Sequence, residues 1–219
     1  MPSFFYLQIF IPMPFPTTNA TQELPAVNQI LMSCGQAPVT TLDTTNPEVA
    51  IAYETLLQVS RETQAEGWTF NREYHYKFTP DTDDEVAIPN NILQIKLSES
   101  GTNGQYDGIR RSGKLYDRMH HRYTWPDHST IECDVIWEFD WVDLPEPIQN
   151  FITAQAASIV SQRIVGDGNQ YQALQQQAAL ARSTALEYET NQGQYTFFGH
   201  PYDKTNYYNS YKPYQALAR

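Results

Sequence analysis

Four groups of side chains in this sequence are of the kinds that hold ions, move protons or grip phosphates. Asp81-x-Asp83-Asp84-Glu85 spaces its carboxylates like the opening of a calcium loop. That loop needs glycine at its sixth position and a bidentate glutamate at its twelfth. Val86 and Ile92 stand there, so the pattern fails and a solvated turn is the better reading. His120-His121, His128 and Cys133 are transition-metal ligand types without the spacing of a zinc site. Glu132/Asp134 and Glu138/Asp140 are carboxylate pairs of the sort that flank a glycosidic bond. Set two apart on a strand, each pair marks one wet face more simply.

The fourth group is basic. Arg110, Arg111, Lys114, Arg118 and Arg122 fall within 13 residues, interleaved with Tyr116, Tyr123 and Trp125. Such a patch has the groups for phosphate contacts and base stacking. Cations on hairpins more often form a solvated face that discourages edge pairing. Arginine and tyrosine are also favoured where proteins dock. Solvated face, docking patch and nucleic-acid site rank in that order.

The elements that position these groups follow from periodicity. Leu24, Val27, Ile30, Leu31 and Cys34 predict a helix over 24–33, with Gly35 as its left-handed stop and Pro38 preventing its return. Asn46 as cap and Pro47 at the first position open a second helix, which Gly67 ends. From Arg72 the period falls to two, with Tyr74, Tyr76 and Phe78 alternating against His75 and Lys77. Short strands are predicted at 86–89, 92–97, 109–111 and 114–116. The strongest, 133–141, has Val135, Trp137, Phe139 and Trp141 on one face. Leu144-Pro145-Glu146-Pro147 starts a third helix, Gly166-Asp167-Gly168 closes it, and a Gln-rich fourth runs from about 169 to 192. The expected class is α+β, with a four-helix bundle body, an inserted small β-rich domain and an extended aromatic C-terminal arm. The segments are an N-terminal extension (1–22), a helical hairpin (23–71), the β-rich insertion (72–143), a second helical hairpin (144–192) and the arm (193–219).

Charge and composition narrow the function. The net charge of −11 argues against a generic nucleic-acid binder. Residues 23–71 carry six acids against one base, residues 72–143 fourteen against eight, and residues 144–219 five of each. Residues 1–22 hold no charged side chain and contain the apolar run Phe4–Ile11. Without a basic leader or a small-residue cleavage site, this run reads as an arm packed on a neighbouring surface, or as lying before a true start at Met13, rather than as an export signal. Cys34 and Cys133 are expected as buried free thiols, as in a reducing cytoplasm. The last 26 residues hold Tyr195, Phe197, Phe198, Tyr202, Tyr207, Tyr208, Tyr211 and Tyr214. That density is too aromatic for a solvated tail and suits a partner-binding arm.

Glu23-Leu24-x-Ala26-Val27-Asn28-x-Ile30-Leu31-x-Ser33-x-Gly35-x-x-Pro38-Val39-x-Thr41-Leu42 resembles the start of the tail tubular protein A family, the head-to-tail adaptors of short-tailed bacteriophages. Asn46-Pro47-Glu48-Val49, Ser60-Arg61-x-x-Gln64 and Gly67-Trp68-x-Phe70-Asn71 continue in that family's order, and the likeness runs more loosely to about residue 192. Several blocks in register are far more specific than one short motif. The resemblance implies a structural virion protein of the tail, made in the host bacterial cytoplasm, not an enzyme and without cofactor or metal. It implies a dodecameric ring beneath the portal protein, with a tail nozzle of the tail tubular protein B type below and tail fibres anchored nearby. DNA passes through without sequence-specific binding, which an acidic lumen would favour. By their features, the eight tail aromatics are assigned to portal contact, and the basic patch with Tyr116, Tyr123 and Trp125 to nozzle or fibre docking. A tail-associated polysaccharide hydrolase and a DNA-binding module are the alternatives.

Overall fold

The computed structural model describes residues 20–98, 106–126 and 130–193. The N-terminal run Phe4–Ile11, His128 and every aromatic of the C-terminal arm lie outside the described residues. Among the described residues are four α-helices, a three-stranded antiparallel sheet and a two-stranded one, an α+β protein. The chain divides into two compact units. Of the described residues, one takes in Arg61–Gly67 and most of 71–143; the other takes in Leu24–Ser60, Trp68–Phe70 and residues 144–193.

The second unit is helical. α1 (Ala20–Ser33) begins four residues before the expected start, which leaves Pro25 in its second turn at the loss of one backbone bond. Its end is as expected. Gly35, at φ +76°, lets Gly35 N donate to Met32 O and Gln36 N to Leu31 O, both at 3.0 Å, the paired bonds of a Schellman cap. The following loop is clamped by Asn28, whose amide donates to Val39 O (2.9 Å) and accepts from Val39 N (2.8 Å). α2 (Pro47–Ala65) starts on Asn46, whose Oδ1 accepts the Glu48 N–H at 3.0 Å.

The middle of α3 (Glu146–Ile164) is buried on every side, from Phe151 and Ile152 to Ala157, Val160 and Ser161, while Glu146, Asn150, Gln162 and Arg163 near its ends are exposed. α4 (Gly168–Gly193) packs close along α3, and its buried residues are small: Ala178, Ala185 and Gly193. Polar ties supplement the apolar contacts. Arg163 Nη1 donates to Thr55 Oγ1 (3.0 Å), Gln175 Nε2 to Ser158 Oγ (3.1 Å), and the Gln170 amide to Ser33 O. Thr69 N donates to the Glu189 carboxylate at 2.9 and 3.0 Å.

The first unit is built on β1 (Arg72–Phe78), β2 (Ile92–Leu97) and β5 (Ile131–Trp137), with β5 in the middle, and on the hairpin β3 (Gly108–Arg111)–β4 (Lys114–Asp117). Ile92, Leu97, Leu115, Trp125, Ile131, Cys133 and Val135 form its core.

Three sequence expectations need correction here. Tyr74 does not share a face with Tyr76 and Phe78. A bulge between Glu73 and Tyr76, with His75 at φ +55°, puts Tyr74 beside Gln94, Lys96 and Asp134, while Tyr76 packs on Phe78 (4.9 Å between ring centroids) and Trp137 (5.2 Å). The segment 86–89 makes only an isolated bridge, Ala87 to Lys114, because Pro89 cannot donate to a longer ladder. β5 starts two residues early and stops at Trp137; Trp141 sits in a short 3-10 turn instead. The strand stops because the Gln64 side chain takes the Phe139 backbone: Phe139 N donates to Gln64 Oε1 (2.8 Å) and Gln64 Nε2 donates to Phe139 O (3.2 Å).

Candidate docking surface

The β3–β4 hairpin turns on Ser112-Gly113, both at positive φ (+53° and +73°), the two-residue geometry that matches strand twist. Its register pairs Ile109 with Tyr116 and Arg111 with Lys114, which places these four on one face. Leu115 and Asp117 point the other way and are buried. A second turn, Asp117 to Arg122, is organised by the Asp117 carboxylate. Oδ1 accepts the Met119 N–H (2.9 Å), and Oδ2 lies 2.6 Å from His120 Nδ1. Burial alone would push this carboxyl up, but the hydrogen bonds from His120 and the backbone outweigh it and hold Asp117 below the usual carboxylate range. That turn brings Tyr123 back over Tyr116, 4.8 Å between ring centroids and edge to face. The Arg111 guanidinium lies over the Tyr116 ring at 4.2 Å.

The structure sorts the eight residues of the predicted patch. Arg111, Tyr116 and Tyr123 form one stack, and Arg111 is exposed with no carboxylate paired to it among the described residues. Lys114 pairs with Glu85, whose hydrogen bond raises the ammonium pKa, and Arg118 pairs with Asp107. Arg110 is spent on one backbone and one side-chain acceptor, donating to Ile92 O (2.8 Å) and Asn90 Oδ1 (2.9 Å). Arg122 is half-buried, and its backbone closes the second turn. Trp125 is 1% exposed, with its indole N–H donating to Leu115 O (3.2 Å). It is core and offers no surface to a partner. Met119, 60% exposed at the tip of the second turn, was not singled out in the sequence.

Several of the groups that suggested catalysis are occupied otherwise among the described residues. Asp81 Oδ1 accepts the N–H groups of Asp83 and Glu85, both at 2.9 Å, capping its own turn. Cys133 is fully buried, and burial, with Asp134 nearby, pushes its thiol up to about 12. Ser98 Oγ lies 2.7 Å from His75 Nδ1, and Glu132 Oε2 lies 3.3 Å from the same nitrogen. A hydrolytic relay needs serine and acid on opposite ring nitrogens, and Ser98 is only 2% exposed.

What sequence reasoning did not find is the role of Ser60-Arg61-x-x-Gln64 and Gly67-x-x-x-Asn71. Asn71 is fully buried, and its Nδ2 donates to Gln64 O (2.9 Å) and Trp137 O (2.8 Å). Gly67, at φ +76°, lies so near Ile136 that a Cβ would come within 2.5 Å of its Cδ1. Arg61 Nε stands 3.9 Å from the nine-tenths-buried Glu138. These residues lock the end of α2 onto the exit of β5. Their partners on and after β5 are 66 to 77 residues away, beyond what local spacing can signal.

The surface features of the described residues are an exposed Arg–Tyr stack and a largely solvent-facing fourth helix. The sequence profile of the tail tubular proteins matches residues 24–195. Tail tubular protein A of Klebsiella phage KP34 is 30% identical over 169 residues, covering 75% of this chain and 85% of that protein. The chain belongs to the tail tubular protein family and is a structural protein of the bacteriophage tail.

Proposed function

We propose that copies of this chain form a dodecameric adaptor ring that joins the portal to the tail nozzle, surrounds the path of the ejected DNA and helps anchor the tail fibres. The observation that carries this reading is the family match through residues 24–195, both helical pairs and the β unit included. The physical features agree with it. α4 leaves Leu186 (46%) in solvent, surface of the kind that ring neighbours cover. The Arg111–Tyr116–Tyr123 stack supplies a rigid aromatic anchor with a cation, suited to docking nozzle or fibre. The aromatic tail is assigned to the portal. A net charge of −11 per copy suits a channel that must not retain phosphates.

The test is the mass of the purified protein, alone and mixed with portal protein, by native mass spectrometry. The expected product is a complex carrying twelve copies on one portal ring. A chain that stays monomeric with portal present at micromolar concentration would overturn the reading.

A further inference from the structure

The α3–α4 pair carries a groove of about 310 Å³, lined by Glu146, Pro147 and Asn150 of α3 and by Gln177, Leu180, Ala181 and Thr184 of α4. Its lining is mostly apolar and includes two amides, Asn150 and Gln177, that make no hydrogen bond to protein among the described residues. Leu180 stands 71% exposed at its edge, the most exposed large apolar side chain among the described residues. A mostly apolar slot with two such amides in its lining fits a phenol or benzyl ring, with a hydroxyl taken up by an amide.

The chain itself supplies such rings. α4 ends at Gly193, and 26 residues with eight aromatics follow. Leu180 and Thr184 lie 13 and 9 residues before that end, which is roughly 14 to 20 Å at ~1.5 Å per helical residue. An extended strand covers ~3.3 Å per residue, so about four to six residues bring a reversed chain back to the groove. Tyr195 is too near the helix end; Phe197 and Phe198 are the first aromatics in reach. Charge agrees. Residues 194–219 carry three bases against one acid, while the rest of the chain carries eleven against twenty-four, and Glu146 lies at the groove. A tether this short gives a millimolar effective concentration, which favours the segment of the same chain over that of another copy.

We propose that the α3–α4 groove is the seat of this chain's own C-terminal segment. Phe197 and Phe198 enter at its Thr184 end with their rings towards Leu180, and the arm is thereby aimed so that Tyr207 to Tyr214 extend beyond the helices. The seat stands independently of the adaptor reading, since it involves one chain only.

The experiment places cysteines at Thr184 and Gly199 (T184C/G199C) in the full-length protein, leaving both phenylalanines in place. Cys34 and Cys133 are buried, so mild oxidation acts on the introduced pair. The expected result is a rapid disulfide within one chain, located by peptide mass. It should form at least tenfold faster than with T184C/Y214C and slow at least fivefold when Leu180→Glu is added at that exposed site. Disulfides between chains, no disulfide, or a rate indifferent to Leu180→Glu would each overturn the proposal.

Discussion

Single residues here act mainly through what they deny to water. Glu138 is the clearest case. Its carboxylate is largely buried at the exit of β5, with no hydrogen-bond donor to Oε2 among the described residues and the Arg61 guanidinium 3.9 Å away. Burial raises its pKa above the usual value; the Arg61 charge lowers it only in part, and Asp140 adds to the rise. In the window between the ordinary carboxyl pKa and this raised one, the folded state binds more protons than the unfolded state. The carboxyl therefore costs stability as pH climbs through that window, and the cost persists above it. Glu138→Gln should then melt higher than the parent at pH 7, with the difference closing towards pH 4 in thermal unfolding followed by circular dichroism. A variant that melts lower at pH 7 would mean the Arg61 pair dominates.

Elements are joined by buried amides more than by charges. Asn71 closes α2 onto β5 with two donated bonds, and the Gln64 side chain ends the strand by taking both backbone groups of Phe139. Asn71→Ala removes both donors and leaves the Trp137 carbonyl without one of them, a loss of about 2–3 kcal/mol. In a chain of this size that is a fall in Tm of roughly 5–10 °C. Scanning calorimetry checks it; a change under 1 °C would show that water replaces the amide. The same reasoning separates the two hairpin turns. Ser112-Gly113 is set by local backbone preference, whereas the 117–122 turn depends on one buried aspartate.

At the scale of the molecule, the proposed docking patch is smaller than its cluster of basic residues. Lys114 and Arg118 are neutralised by Glu85 and Asp107, and Trp125 is core, so Arg111 with its two tyrosines is what a partner would meet. Arg111→Glu should lower nozzle or fibre attachment at least tenfold in a reconstituted tail while leaving ring assembly unchanged. Arg118→Glu should do less, because its charge is already paired. Equal attachment by Arg111→Glu and the parent would remove the stack from the interface.

Much of this protein was legible in its sequence because the information is local. The apolar stripes of α1 and α2, the stops at Gly35 and Gly67, the Asn46 cap and the period-two strands each need only neighbours within a few residues. The blocks in register gave the family for the same reason. Tertiary structure alone decided which polar groups are spent and which are offered. Nothing adjacent to Arg110 indicates that Ile92 O holds it, nor does anything near Tyr74 indicate that a bulge turns it from its neighbours. Trp125 is hidden and Met119 bare because the hairpin packs one face on the sheet. Burial and long-range hydrogen bonds depend on where distant segments meet, and periodicity along one segment carries no record of that.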